Sequence, residues 1–496
     1  MDYVSPQKLV IGAVGENLPA LRHLVDRVLT WHEVWRQGVY PDDSPWEGIR
    51  LSSDEEEKLR CALDEFLKRF SVNLPFFSPR YAAQMLKDPS IPALLGYVAA
   101  LLLNPNNHAY EGGPATTEME MEVIGDLLRF MGFGSGWGHL TSGGSLANME
   151  ALWAVRDFRK RGIAVFSRGS HYSWKRIASI LRVDGYEEID VDDHYRIDLN
   201  HLEDVLRKRN VIFVMANLGT TGVGAIDPIK EIVALRERYG FHLHVDAAYG
   251  GYARSVVLEE GYSVLPESAV PWLEKYVYDQ LVALKHVDSV TIDPHKHGLA
   301  PYGAGAVLYK DQRLRDVILN TAPYTYHKLD KPNIGMWTLE GSRPGASAAA
   351  VWLTHKLIPL YQRGFGEILK ETMETAREFS SRLKATSHLV PLTEPDLDIL
   401  CFYDGAPEGK LSVVNERTEK LYKNFSVENP KAPFIFSKFV IAGQPLKCLF
   451  PGHLHDVESV TVMRGVLMKP YLREYAGKSY LTELLSLLGA NGGSGR

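Results

Sequence analysis

Covalent cross-links play little part in this chain. Only three cysteines, Cys61, Cys401 and Cys448, occur in 496 residues, far apart and without C-x-x-C spacing. That excludes a disulfide framework and a cysteine zinc site, and makes a reducing cytoplasm the simplest compartment. The opening residues, MDYVSPQKLV, lack a basic stretch followed by an apolar one, so no secretory signal is expected. Long hydrophobic runs are missing as well. The most apolar, Ile91 to Leu103, is about 13 residues, too short to span a bilayer, and no membrane partner is expected. Nor is positive charge in excess. The net charge is −6, which argues against a nucleic-acid partner. Neither an internal repeat nor a low-complexity segment is present.

What is present is ordinary for a soluble globular protein: 45% hydrophobic and 23% charged residues. That is ample material for a core and excludes disorder as the main state. The length suggests roughly two to four domains. Leu18 to Trp35 and Glu55 to Phe70 carry apolar residues at helical spacing. Two such helices alone would leave an apolar face exposed, so they are expected to pack on something else, a second subunit being one choice. From about Gly136 to Lys310 short β-branched runs alternate with helical segments. Ile163–Ser167, Val211–Asn217, His242–Asp246 and Asp288–Asp293 read as strands, and Ser145–Arg161 and Pro228–Tyr239 as helices. This alternation predicts a mostly parallel sheet with helices on both faces. Ala304–Lys310 follows too closely for a helical crossover and is expected to be antiparallel. Thr321–Lys331, polar and tyrosine-rich, reads as a mobile loop. Gly345–Leu383 reads as helical, interrupted by Gly364 and Gly366. The last hundred residues read as a small α+β domain, with strands Phe439–Ala442 and Lys447–Phe450 and a helix over Val457–Val466. The expected division is a helical, dimer-forming segment 1–105, a large domain 106–375 and a small domain 376–496.

Four features lie at the ends of the predicted strands and helix starts, where open α/β sheets bind ligands. Thr141-Ser142-Gly143-Gly144-Ser145-Leu146-Ala147-Asn148 opens a helix. Two glycines and the free N–H groups of a first helical turn suit a phosphate, though a plain serine N-cap reads the same way. No Gly-Lys-Ser/Thr follows, so it is not a Walker loop. His171 follows the strand Ile163–Ser167, where its ring can stack on a flat ligand or simply cap a helix. Asp246 ends a buried strand, where a carboxylate is costly unless it meets a partner. It can hold a proton on a heteroaromatic nitrogen, or cap the next helix. His242 and His244 beside it supply no fourth ligand, and HEXXH is absent, so no metal is expected. Finally, Asp293-Pro294-His295-Lys296 places a lysine after a buried strand, next to a histidine. Such a lysine is a surface charge or, if burial lowers its pKa, an imine-forming nucleophile.

Together, a phosphate cradle, a stacking ring, a carboxylate for a pyridine nitrogen and an imine-forming lysine match pyridoxal 5′-phosphate. The resemblance then becomes specific. The Thr-Ser-Gly-Gly-Ser motif, Asn217-Leu218-Gly219-Thr220-Thr221-Gly222, His244-Val245-Asp246-Ala247-Ala248-Tyr249-Gly250-Gly251 and Asp293-Pro294-His295-Lys296 resemble the group II pyridoxal-phosphate decarboxylases. Asn104-Pro105-Asn106-Asn107, Pro114-Ala115-Thr116-Thr117-Glu118, Gly298 to Gly305 and Leu339 to Ala346 are most similar to bacterial tyrosine (aromatic L-amino acid) decarboxylases. Gly341-Ser342-Arg343-Pro344-Gly345 also resembles sphingosine-phosphate lyases, so the alternative to decarboxylation of tyrosine is another carbon-carbon lyase of this kind, either a decarboxylase of glutamate or another amino acid or a retro-aldol enzyme.

The resemblance implies the fold of type I pyridoxal-phosphate enzymes, α/β with a mostly parallel seven-stranded sheet, and a homodimer with shared active sites acting on a small amino acid. It implies that Lys296 holds the cofactor as an imine, Asp246 pairs with the pyridine nitrogen, and His171 stacks on the ring. Gly144, Ser145 and Asn148 would bind phosphate. Thr221 would lie near the ring oxygen or Asp246, with Ala248 and Asp293 in the cofactor site. His295 would contact phosphate or substrate carboxylate, and Ser342 would complete the phosphate site from the partner. Tyr326, ahead of Tyr324, is the expected proton donor to Cα. Phe76, Phe77, Tyr81, His108, Tyr110 and Tyr302 are candidates for an aromatic substrate pocket, with His108 expected to recognise a substrate hydroxyl. The expected reaction is L-tyrosine to tyramine and CO2.

Overall fold

The computed structural model describes residues 4–323, 325, 330–385, 388–405 and 409–491. Twelve strands occur among them: β1 (Tyr81–Ala82), β2 (Trp137–Thr141), β3 (Ile163–Ser167), β4 (Tyr186–Ile189), β5 (Val211–Asn217), β6 (His242–Asp246), β7 (Ser289–Ile292), β8 (Gly305–Tyr309), β9 (Leu389–Pro391), β10 (Ile399–Asp404), β11 (Ile435–Ala442) and β12 (Ser459–Val466). Seven of them form one sheet in the order β2-β8-β7-β6-β5-β3-β4. All its neighbours are parallel except β8, which runs antiparallel to both β2 and β7. The short link before β8 leaves no room for a helical crossover, so the chain must reverse direction there. This is the mostly parallel seven-stranded α/β sheet that the resemblance implies.

Strands β3, β5 and β6 have the bounds read from the sequence, and every residue in them is buried. Helices Gly144–Arg159 and Ile229–Tyr239 supply crossovers and cover the sheet. Burial on both faces is why the strands read as near-continuous apolar runs. The stretch after Gly345 divides into helices Gly345–Leu357 and Phe365–Lys384. The break falls at Gly364, where a side chain would run into the carbonyl of Pro359.

A second sheet has the order β1-β11-β12-β10-β9. Two expectations fail in it. Val457–Val466, expected as a helix, contains strand β12, paired with β10 and β11. Its β-branched Val460, Thr461 and Val462 are stiff at χ1 and fit a pleat better than a helix. Lys447–Phe450, expected as a strand, is mostly the end of helix Gln444–Leu449. Pro445 in its first turn presets the helical φ and has no N–H to waste.

The N-terminal helices Leu18–Val39 and Ser53–Phe70 stand largely in solvent. Only His32 is buried in the first and nothing in the second. Trp31, Val34, Trp35, Leu63, Phe66 and Phe70 are all exposed. A capping box between Ser52 and Glu55 fixes the start of the second helix. Among the described residues no helix is long and apolar enough to cross a membrane.

Candidate active site

A cavity of about 540 Å³ opens at the C-terminal ends of β2, β3, β5, β6 and β7. Gly143, Gly144, Ser145, Asn148, His171, Thr221, Asp246, Ala248, Asp293, His295 and Lys296 all line it. Ten of these were singled out from the sequence as cofactor residues, and the structure brings them together. Ser342, Phe77 and His108 are not on this wall.

The first turn of helix Gly144–Arg159 faces the cavity with its free N–H groups and the exposed Ser145. A Cβ on Gly144 would lie 2.9 Å from Asp293 Oδ2 and 3.0 Å from the Ala248 methyl. Only glycine lets this turn sit so close to the loops after β6 and β7.

Asp246 is 9% exposed. Its Oδ2 accepts from Asn148 Nδ2 at 2.7 Å and from Trp174 Nε1 at 3.1 Å. Its Oδ1 accepts from Ala248 N at 3.2 Å. Asn148, expected from its motif at the phosphate, directs its amide to Asp246 at one end and meets His244 Nε2 at 3.1 Å at the other. Trp174, a side chain the motifs do not include, provides the second donor.

His171 receives the Ser173 N–H on Nδ1 at 3.3 Å, and the Ser173 hydroxyl is 2.7 Å from the same nitrogen. Burial lowers its pKa and Lys296 adds to that, against the opposing pull of Asp246 and Asp293. A neutral, flat imidazole results.

Lys296 Nζ lies 3.1 Å from Asp293 Oδ2. The same oxygen is 3.3 Å from His295 Nε2. Burial would raise the Asp293 carboxyl, but Lys296 and His295 outweigh it and hold the carboxyl below its ordinary value. His295 accepts the Ala304 N–H on Nδ1 at 3.2 Å, so both its ring nitrogens already face protein groups. Its ring stacks on Tyr302, centroids 4.3 Å apart.

A second cavity of about 680 Å³ shares His171, Tyr172, Thr221 and Lys296 with the first and adds Tyr195, Tyr302, Phe439 and Arg464. Arg464 donates to the Thr221 carbonyl at 2.8 Å and to the Ala83 carbonyl at 3.1 Å. It thus fastens the small sheet to the rim of the site. Of the expected substrate residues, only Tyr302 lies here. Phe77 lines a separate small pocket with Lys87 and Lys469. His108 is bonded through its backbone to Asn106 and Gly335. Tyr81 is core, 1% exposed. The Ser342 hydroxyl accepts from Asn106 Nδ2 at 3.2 Å. Tyr324 and Tyr326 lie outside the described residues.

The pyridoxal-dependent decarboxylase conserved domain matches residues 54–403. The chain belongs to that family. This decarboxylase is 30% identical to an L-tyrosine decarboxylase of Enterococcus faecium, over 94% of each chain. It is 29% identical to an L-tyrosine decarboxylase of Levilactobacillus brevis, over 95% of its own length and 94% of the relative's. An L-aspartate decarboxylase of Thermococcus kodakarensis is 31% identical over 71% of this chain and 85% of that one. In fold it is similar to Oryza sativa TDC with PLP and tryptamine, with TM-score 0.72, 17% identity and coverage of 96% and 98%. It is a pyridoxal-phosphate-dependent amino acid decarboxylase. The site fits that cofactor: an amine on the cavity wall, a helix N-terminus behind two glycines, and a buried carboxylate whose Oδ2 is already satisfied. Asp293 Oδ1, buried and without a hydrogen-bond partner among the described residues, marks a polar lining still to be met.

Proposed function

We propose that this decarboxylase acts on an aromatic L-amino acid, L-tyrosine first, giving tyramine and CO2. The observation that carries this reading is the extent of likeness. Tyrosine decarboxylases align over 94% of both chains, whereas the aspartate enzyme aligns over 71% of this one. The aromatic wall of the second cavity, from Tyr172, Tyr195, Tyr302 and Phe439, supports it.

In this reading Lys296 would hold the cofactor through its amine. The first turn at Gly144 and Ser145 would hold its phosphate, and Asp246 would pair with its ring nitrogen. His171, neutral and held by Ser173, packs on the ring face. Thr221 and Ala248 close the walls. Bound there, the cofactor supplies the sink for the electron pair freed when a carboxylate leaves Cα. The remaining work belongs to the chain. Asp293 keeps the Lys296 amine at one place, and Ser173 keeps the His171 ring at one angle. Tyr326 is assigned the proton to Cα. A phenol is a directional acid that stays protonated near neutral pH.

The exposed apolar faces of the two N-terminal helices support a homodimer in which segment 1–105 embraces a second copy and Ser342 serves the partner's phosphate site. The test of substrate is a panel of L-tyrosine, L-phenylalanine, L-tryptophan, L-DOPA, L-glutamate and L-aspartate, with CO2 and amine both measured. L-Tyrosine should give the highest kcat/KM. A higher value for L-aspartate or L-glutamate would overturn the aromatic reading.

A further inference from the structure

Hydrogen bonds of a single sense run along one face of the large sheet towards Asp246. His242, His244 and Asp246 alternate along β6 and therefore share a face. Ser289 and Thr291 of β7 sit beside His244 and Asp246 in register. His242 Nε2 is 2.7 Å from Ser289 Oγ, and that oxygen is 2.8 Å from His244 Nδ1. His244 Nε2 is 3.1 Å from Asn148 Oδ1, and Asn148 Nδ2 is 2.7 Å from Asp246 Oδ2. All five residues are buried, His244 and Ser289 completely.

The carboxylate at one end decides every proton position. A carboxylate only accepts, so Asn148 must turn its NH2 to Asp246 and its carbonyl to His244. His244 then carries its proton on Nε2. Burial, aided by His242, holds the pKa of His244 well below the ordinary imidazole value, so the ring is neutral and Nδ1 accepts. Ser289 therefore donates to His244 and accepts from His242 Nε2–H. Thr291 Oγ1, 3.3 Å from His244 Nε2, is a second acceptor for the same N–H. The rings cannot swing. Phe213 stacks on His242 at 5.9 Å and 8° and on His244 at 5.6 Å and 24°. Trp174, the other donor to Asp246, meets His244 edge-on at 5.8 Å and 60°.

We propose that His242, Ser289 and His244 are positioning residues. They form a directed relay that anchors the Asn148 amide from behind and, through it, helps hold Asp246 Oδ2 in place, leaving Oδ1 to face the cofactor's ring nitrogen. The inference rests on the reading of Asp246 given above. The relay reaches about 13 Å back along β6. It begins at a polar cleft at the N-terminal end of β6, lined by His242, Arg159, Arg236, Asp288 and Lys310.

The experiment has two arms on the full-length protein with its cofactor. Ring 15N NMR of histidine-labelled protein, assigned with His242→Phe and His244→Gln, should find His242 and His244 both protonated on Nε2, with His244 neutral. An Nδ1–H tautomer or a cation at His244 overturns the relay. In the second arm, His242→Phe keeps the ring stack but deletes the donor, and His242→Gln restores an N–H at similar reach. The Phe variant should weaken cofactor affinity and lower kcat by about tenfold each, the scale of one lost hydrogen bond, with KM within about twofold. The Gln variant should recover most of both. Parent-like affinity and kcat in both His242→Phe and Ser289→Ala, or equal losses in the Phe and Gln variants, overturns the positioning role. Parent-like cofactor affinity in Asp246→Ala would instead overturn the assignment of Asp246, and the tautomers would still report on the relay by themselves.

Discussion

Replacing Asp246 by asparagine changes one atom's chemistry and leaves the shape intact, so its effect can be worked from the contacts. Oδ2 is held by two N–H donors, Asn148 Nδ2 and Trp174 Nε1. The amide oxygen must take that place, because an NH2 there would confront both donors. The new NH2 then occupies the Oδ1 position. It meets the Ala248 N–H 3.2 Å away, donor against donor, and turns a donor rather than an acceptor to the cavity. The cofactor's ring nitrogen loses a charge-assisted bond of about 1.5–3 kcal/mol, and the clash with Ala248 adds about 1 kcal/mol. A barrier raised by about 2.5–4 kcal/mol slows CO2 release roughly 10²- to 10³-fold. The assay is CO2 evolution at saturating cofactor, with bound cofactor quantified by absorbance and the thermal midpoint recorded. A kcat within about tenfold of the parent, at full cofactor occupancy, would refute the reasoning.

Lys296→Ala should abolish multiple turnover, and borohydride reduction of the parent should leave a mass tag on Lys296 that the variant lacks. Sedimentation should find a dimer, and charging the exposed helix Ser53–Phe70 through the pair Leu63→Glu and Phe66→Glu should give inactive monomers; fully active monomers would contradict shared sites. Tyr326→Phe should bind cofactor and substrate almost normally yet slow amine formation sharply, while unchanged amine yield would move the proton donor elsewhere. Burial lowers Lys469 to about 7 and Lys87 to about 8. Between those values and the unfolded lysine value near 10.4, the unfolded chain binds more protons, so stability rises with pH. The thermal midpoint should therefore climb from pH 7 to 9, and Lys469→Met should flatten that slope.

The five inner strands of the large sheet were legible as short, largely apolar runs, whereas its edge strands β2 and β4 were not read from the sequence. Even the antiparallel sense of β8 followed from the length of its connection. The small sheet was not. In β12 seven consecutive residues are buried, so no alternation marks a strand, and Arg464 and Gly465 interrupt its apolar run. Helix Gln444–Leu449 is six residues long, too short for a helical period to declare itself.

The motif residues of the site were legible because they lie next to strand ends, where local sequence fixes place. Their partners come from afar. Asn148 and Trp174 reach Asp246 across 98 and 72 residues, and Arg464 reaches Thr221 across 243. A motif cannot encode such pairings, but a period can. In helix Gly144–Arg159 the positions Gly144, Ala147, Asn148 and Ala151 are all buried, at the three- and four-residue spacing of one face. Ser145, one residue off that face, is exposed at the cavity. Membership in Thr-Ser-Gly-Gly-Ser-Leu-Ala-Asn suggested that Asn148 meets phosphate, whereas its place on the buried face turns it to the sheet and to Asp246. Where a motif runs into a helix, the helical period decides which of its side chains turn to the sheet.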